Sequence, residues 1–448
     1  MISVRVPKGF DLPVNGQPSL ELEVLDPPVR VAALPERIPF VKPRLKVKIG
    51  DAVKIGSVLF EDKRNPEMVF LSPGGGEIEQ INFGRRRVIR EIVIRLDEEE
   101  SHQSSDPLPE EALNTVPRDE LIRRLMAGGM WPLIRELPFR DIANPGHRPP
   151  HLFVCLDSTE PFLPDPVIYL NGKTDLFGFG LKVLQRLAGD AVHICVSRER
   201  VDSLELPKSW VTHQYTGRYP AHDPGALLYR LKASAAENRS WFITGDNVLR
   251  IGEFCRTGVY PVSRTVVVSG SAAASRRHLV TRIGAPLVQL AGKPAGNGDT
   301  RHIAGGLFTG YITSADSYLG LFETALTLIP EGNEKESMAL FKPGCGKPTF
   351  SRVFASRLTR KPLTCDGNQH GGLRACIACM HCADACPVDI LPQLAYKAIL
   401  AEEVEEYLEH GLLDCVECGL CSWVCPAKID LAEALKAAKA AYFNEQAG

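Results

Sequence analysis

A chain of 448 residues with 44% hydrophobic and 24% charged side chains has the composition of ordinary globular protein and the length of about three to four domains. Its formal net charge of -2 gives no concentrated basic footprint, which excludes nucleic acid as an expected partner. The opening segment has no apolar signal-like core and no run approaches about 18 consecutive apolar residues, so the expectation is a soluble, cytosolic chain that meets a membrane only through partners.

Residues 1–100 are rich in Val, Ile, Gly and Pro in short runs, and Leu45–Ile49 and Ile92–Leu96 read as β-strands parted by tight turns. Within them, the stretch from Gly50 to Leu59 followed by Ser72 to Ile78 resembles the barrel-sandwich hybrid of biotinyl and lipoyl domains, with glycines free to take positive φ at strand corners. Lys63 lies near the position where a lipoyl domain presents its modified lysine. The stretch from Leu59 to Lys63 is shorter than that pattern and polar-turn lysines are ordinarily solvated, so no covalent lipoyl or biotin is expected.

An acidic, Ser- and Pro-rich stretch then reads as a linker, taken as residues 101–118. Asp119–Met126 has helical spacing and stops at Gly128 and Gly129, while Leu152–Leu156 and Val192–Val196 read as buried parallel strands joined by a crossover helix over Leu181–Leu187. Residues 119–260 are therefore expected to form a Rossmann-like α/β domain. Thr265–Ser269, Leu287–Leu290 and Ala325–Ile329 read as short strands of a further β-containing module over 261–335, and 336–448 turns helical.

The last domain holds the chemistry. Eight of the thirteen cysteines fall into two copies of C-x2-C-x2-C-x3-C-P: Cys376, Cys379, Cys382, Cys386 with Pro387, and Cys415, Cys418, Cys421, Cys425 with Pro426. Such a run places three thiolates on one cubane cluster while the fourth reaches the other. The predicted ligand sets are crossed: Cys376, Cys379, Cys382 and Cys425 for one [4Fe-4S] cluster, Cys415, Cys418, Cys421 and Cys386 for a second. Structural zinc is the competing reading, but zinc sites present separated C-x2-C pairs rather than four-cysteine runs closed by proline. The interval between Cys386 and Cys415 reads as helix, which makes this an α-helical ferredoxin domain. His381 and Trp423, inside the motifs, read as packing around the clusters. Cys155 and Cys195 read as small core hydrophobes, and Cys345 and Cys365 as loop thiols without an assigned role.

Several motifs are missing. The chain has no G-x-G-x-x-G after a strand, no P-loop and no H-E-x-x-H, and Gly178 with Gly180 is too sparse for a dinucleotide fingerprint, so no FMN or NAD site is expected.

The run Lys8–Val14, the lipoyl-like Val47–Ile78 segment, and the stretches Gly129–Phe139, Asp157–Pro166, Arg264–Gly270 and Asp389–Pro392 resemble the A subunits of Na+-translocating NADH:quinone oxidoreductases, which are related to the C subunit of Rnf complexes. The resemblance runs nearly end to end. It implies a biotinyl/lipoyl-like β domain, a Rossmann-like domain, a β-grasp (SLBB) module and the helical cluster domain, in that order. Familiar sodium-pump A subunits have lost most of the cluster cysteines, whereas this chain keeps all eight, as Rnf C subunits do. The Gly-rich loop of Rnf and complex I relatives is replaced by Ser158, Thr159, Glu160, Pro161 and Phe162.

By this resemblance the chain is a peripheral electron-transfer subunit on the cytoplasmic face of the cell membrane. It would dock on flavin-carrying membrane subunits, receive electrons from ferredoxin or an NADH-oxidising subunit, and meet a quinone. Two alternatives stand beside it: an Rnf-like ferredoxin:NAD+ oxidoreductase subunit, and a mainly structural, quinone-binding docking subunit.

Overall fold

The structure, a computed structural model, describes residues 1–292, 298–332, 343–346, 354–359, 361–368 and 372–446. The expected boundary at residues 335 and 336 lies outside the described residues.

Leu152–Cys155 and Val192–Ser197 pair in parallel, Leu152 opposite Val192 and Cys155 opposite Cys195. Leu152, Phe153 and Val154 are all fully buried. A parallel sheet is covered on both faces, so its strands need apolar side chains at successive positions rather than alternate ones. The sheet runs Ile2–Arg5, His213–Thr216, Val192–Ser197, Leu152–Cys155, Trp241–Thr244, Arg135–Glu136, Asp141–Ile142, parallel through the first five strands and antiparallel at the last two. The crossover helix is Thr174–Ala188, and it packs on the helix Gly245–Thr257.

Two small sheets share a core in the first hundred residues. One comprises Arg30–Ala33, Ile89–Leu96, Gly76–Phe83 and Ala52–Val53, the other Pro43–Leu45, Val58–Asp62 and Asn65–Leu71. Val31, Leu59, Ile78, Ile92 and Ile94 are fully buried between them and continuous with the core of the α/β domain. The expected strand Leu45–Ile49 is cut short: the chain leaves the sheet after Leu45, and Ile49 stands 65% exposed before the turn at Gly50, where φ is 89°. Lys63 and Arg64 form the tip of the hairpin in which Asp62 pairs with Asn65.

Not all of residues 1–100 lies in that domain. Ile2–Arg5 joins the parallel sheet beside His213–Thr216, and Leu22–Val24 pairs with Arg277–Arg282 in a fourth, six-stranded sheet. Residues 101–118 are packed rather than free: His102 and Ser104 bridge to Ile55 and Val259, and Leu113 is buried at the end of the helical turn Glu110–Leu113.

The six-stranded sheet includes Ser263–Ser269 and Ala325–Pro330, as expected, but Leu287–Ala291 is a short helix and not a strand. Pro286 precedes it, and Leu287 and Leu290, one turn apart, are the residues it buries. A run of four residues, three of them apolar, is too short to display its own period, so strand and helix look alike there.

The interval between Cys386 and Cys415 holds two helices, Pro392–Leu400 and Val404–Glu409, parted where Glu402 takes φ of 59°. Leu431–Gln446 closes the domain, burying Leu431, Leu435 and Lys439. No helix among the described residues is long and apolar enough to cross a membrane.

Candidate metal centre

The two cysteine loops share a backbone conformation. Positive φ recurs at matching places: Ala378 (53°) and Glu417 (56°) just before the second cysteine, Met380 (64°) and Gly419 (76°) just after it, and Asp389 (55°) and Lys428 (57°) three residues past the fourth. Left-handed residues alternating with right-handed ones turn successive N–H groups to one side and form an anion-binding concavity of the kind that holds phosphates and iron–sulfur clusters. Five of these six residues carry a Cβ and so sit in a costly region, a cost met where the surrounding structure imposes it at functional sites. Each loop then enters a short helix, His381–Ala385 or Leu420–Trp423.

Cys386, from the first motif, lines one pocket with Cys415, Cys418 and Cys421 of the second, walled by Pro392, Leu420 and Leu435. Burial pushes the thiols of Cys418 and Cys421 well up, and the neighbouring Cys415 and Cys386 push both further. Burial likewise raises Cys386 to about 11. Without a cation these thiols stay protonated at neutral pH, so binding iron would release protons.

The other set is less gathered. Cys382 is buried, and its Sγ donates to Gln393 Oε1 at 3.1 Å; Cys425 shares its apolar cluster, with Cys376 packed at the margin, while Cys379 is exposed. Among the described residues no group of three or more His, Cys, Asp or Glu side chains is close enough for one metal ion. One zinc draws its thiolates to about 2.3 Å from a single centre. Four thiols lining one apolar-walled pocket, each from a C-x2-C-x2-C-x3-C-P run, are the donor set of a [4Fe-4S] cluster, and the residues present fit that group.

Residues far from the motifs hold the second loop in place. Tyr219 donates from its hydroxyl to the Cys418 carbonyl at 2.7 Å, Arg140 donates to the Val416 carbonyl at 2.9 Å, and Lys439 donates to the Cys415 carbonyl at 2.9 Å. Arg140 also binds both oxygens of Asp223, at 2.8 and 2.7 Å, and Asp223 caps the helix Pro224–Leu231. Burial works to raise the Glu417 carboxyl, yet Lys439 and Arg140 hold it below its ordinary value, so it is charged. None of these stands out in the sequence by motif. Lys439 alone leaves a signal there, four residues after Leu435 on the apolar face of its helix.

The second loop also borders a broad cleft. Its other walls are Leu156 and Asp157 past the end of Leu152–Cys155, Asp246 past Trp241–Thr244, and the loop from Gly305 to Tyr311. Open α/β sheets place ligands at this end of their strands. Glu160, past the end of Leu152–Cys155, lines the cleft: its buried carboxylate accepts from the Phe308 and Thr309 N–H groups at 2.7 and 2.9 Å. Phe308 stacks on Tyr219 at 5.2 Å and meets Trp423 edge to face at 5.4 Å.

Of the remaining cysteines, Cys195 and Cys255 are buried, Cys155 is half-buried, and burial raises all three thiols, in keeping with small apolar residues. Cys365 is also buried, its thiol pushed up to about 12, and Cys345 is exposed.

Comparison with known proteins agrees with this organisation. Residues 4–97 match the NqrA N-terminal barrel-sandwich hybrid domain, 116–260 the NqrA second alpha/beta domain, and 375–429 a 4Fe-4S dicluster domain. The chain is 30% identical over 415 residues to the A subunit of the Na(+)-translocating NADH-quinone reductase of Yersinia pseudotuberculosis, covering 92% of each. The chain belongs to the NqrA family, the A subunits of Na(+)-translocating NADH-quinone reductases. The Neisseria meningitidis member is 32% identical and the Pseudomonas aeruginosa member 30%, each alignment covering 92% of both chains. In this member of the NqrA family, the dicluster match spans both cysteine motifs and the two helices between them.

Proposed function

We propose that the chain is a peripheral electron-transfer subunit of an ion-translocating NADH:quinone oxidoreductase of the Nqr/Rnf class, relaying single electrons through two [4Fe-4S] clusters. Cys376, Cys379, Cys382 and Cys425 would hold one cluster, and Cys415, Cys418, Cys421 and Cys386 the other. The observation that carries this reading is the pocket in which Cys386 meets the three leading cysteines of the other motif, the crossing that a paired-cluster fold requires. Each cluster, when bound, supplies one-electron reduction and oxidation without a proton or a bond being made. The chain's own residues do the rest. The loops turn their N–H groups inward, Leu420 and Leu435 keep water from the second site, and Tyr219, Arg140 and Lys439 fix that site against the α/β domain.

The preceding parts are read as a biotinyl-like β domain, a Rossmann-like domain and a β-grasp module that mount the relay on flavin-bearing membrane subunits at the cytoplasmic face. The cleft beside Trp423 and Phe308 favours a small redox partner such as a quinone at the inner end of the relay, because its wall is continuous with the second cysteine loop. Anaerobic purification followed by iron and sulfide analysis should give about eight of each per chain. Electron paramagnetic resonance should then show two interacting clusters reduced by ferredoxin or by an NADH-oxidising partner. Fewer than two clusters per chain defeats the proposal, and direct reduction by NADH alone would point to a nucleotide site in the cleft.

A further inference from the structure

Lys439 is a lysine buried to 2% exposure with every ammonium proton committed: its Nζ donates to the Pro138 carbonyl at 2.7 Å, the Cys415 carbonyl at 2.9 Å and Glu417 Oε1 at 2.8 Å. Arg140, also largely buried, takes the next carbonyl along, that of Val416. Two cations thus sit on consecutive peptide groups of the second cysteine loop, and a largely buried carboxylate, Glu417, 16% exposed, stands within the same loop. Each cation is paired with a carboxylate, Lys439 with Glu417 and Arg140 with Asp223. Taking four charges out of water is costly, and the Lys439–Glu417 pair places its charges directly against the loop that would hold the cluster.

The first motif differs. Its cation contacts are Lys8, 38% exposed, to the Ala383 carbonyl at 3.3 Å and Arg230, 22% exposed, to the Pro387 carbonyl at 2.7 Å, both also paired with Asp389, while Ile377 is 67% and Met380 42% exposed. Water and salt screen charges there. One-electron reduction adds a negative charge to a cluster, and the potential responds to fixed charge and hydrogen bonding in proportion to how little water intervenes.

We propose that Lys439 and Glu417 are opposed tuning residues for the cluster at the second motif, the buried ammonium raising its reduction potential and the neighbouring carboxylate lowering it, with little effect on the other cluster. This rests on the two-cluster relay proposed above. Neither residue touches the reacting atoms, so both are positioning residues whose effect must be read in potential rather than turnover.

The test is a redox titration of the full chain, purified anaerobically and followed by electron paramagnetic resonance. Lys439→Met should lower one midpoint, Glu417→Gln should raise the same midpoint, the double variant should fall between them, and Lys439→Arg should stay near the unsubstituted value. The second midpoint should hold still throughout. Shifts of the same sign in the two single variants, equal shifts of both midpoints, or no shift in either would overturn the proposal. If Lys439→Met fails to load its clusters, Glu417→Gln decides alone: an upward shift of one midpoint supports the proposal and any other result removes it. Iron and sulfide analysis of the unsubstituted chain reports on the relay separately, so a full complement of clusters with unmoved potentials would fell only the tuning proposal.

Discussion

Three histidines meet at one end of the parallel sheet. His151 Nδ1 lies 2.9 Å from His193 Nε2, the His193 and His213 rings meet edge to face at 4.6 Å, and His151 Nε2 lies 3.0 Å from Glu237. Burial first, and then the neighbouring His213 and His151, hold the His193 imidazole down at about 4, and burial with His151 and the chain's amino terminus holds His213 below its ordinary value as well. With the folded pKa below the unfolded one, the unfolded chain takes up more protons under pH 6.5, so stability is full above that pH and drains away as the pH falls toward 4. His193 is only partly buried, and solvent screening there discounts the effect to about 1–2 kcal/mol. His193→Gln should flatten the pH dependence of urea unfolding between those limits while leaving the neutral-pH midpoint nearly unchanged. An undiminished slope would show that the imidazoles titrate as if exposed.

At the scale of elements, Gly178 and Gly180 are explained by packing rather than by a nucleotide: a Cβ on Gly178 would stand 2.6 Å from the Trp210 ring. A Cβ on Gly180 would stand 2.4 Å from the Val248 carbonyl oxygen, and one on Gly252 would stand 2.7 Å from that of Leu176, so the helices Thr174–Ala188 and Gly245–Thr257 touch backbone to backbone. Gly180→Ala must force them apart, an overpacking cost of about 1–3 kcal/mol that should appear as a lowered melting temperature with cluster content intact. These elements show where the sequence is legible. Continuous apolar runs such as Leu152–Cys155 announce buried strands, amphipathic spacing announces the crossover helix, and the cysteine motifs announce their own chemistry through spacing. Leu287–Ala291 is too short to reveal its period. The pairing of Ile2–Arg5 with His213–Thr216 is settled by partners some two hundred residues away, and no local pattern encodes it. The same holds for Arg140 and Tyr219, whose importance lies in which loop they reach.

At the scale of the whole molecule, both halves of the cluster domain touch the rest of the chain, the first through Lys8 and Arg230 at Ala383, Pro387 and Asp389, the second more deeply. The second motif is held by Tyr219, Arg140 and Lys439 against the α/β domain, while Cys379 and its neighbours in the first motif face outward. An electron relay needs this polarity, with one end reachable by a partner and the other shielded beside the cleft. The polarity depends on the chain crossing back from Cys386, through two helices, to the loop at Cys415. Crossing makes a specific forecast for alanine variants. Cys386→Ala should abolish the same resonance signal as Cys421→Ala, and Cys425→Ala the same signal as Cys379→Ala, each variant losing about half its iron. Were each motif to hold its own cluster, Cys386→Ala would instead match Cys379→Ala, and each end of the relay would be held by a single motif.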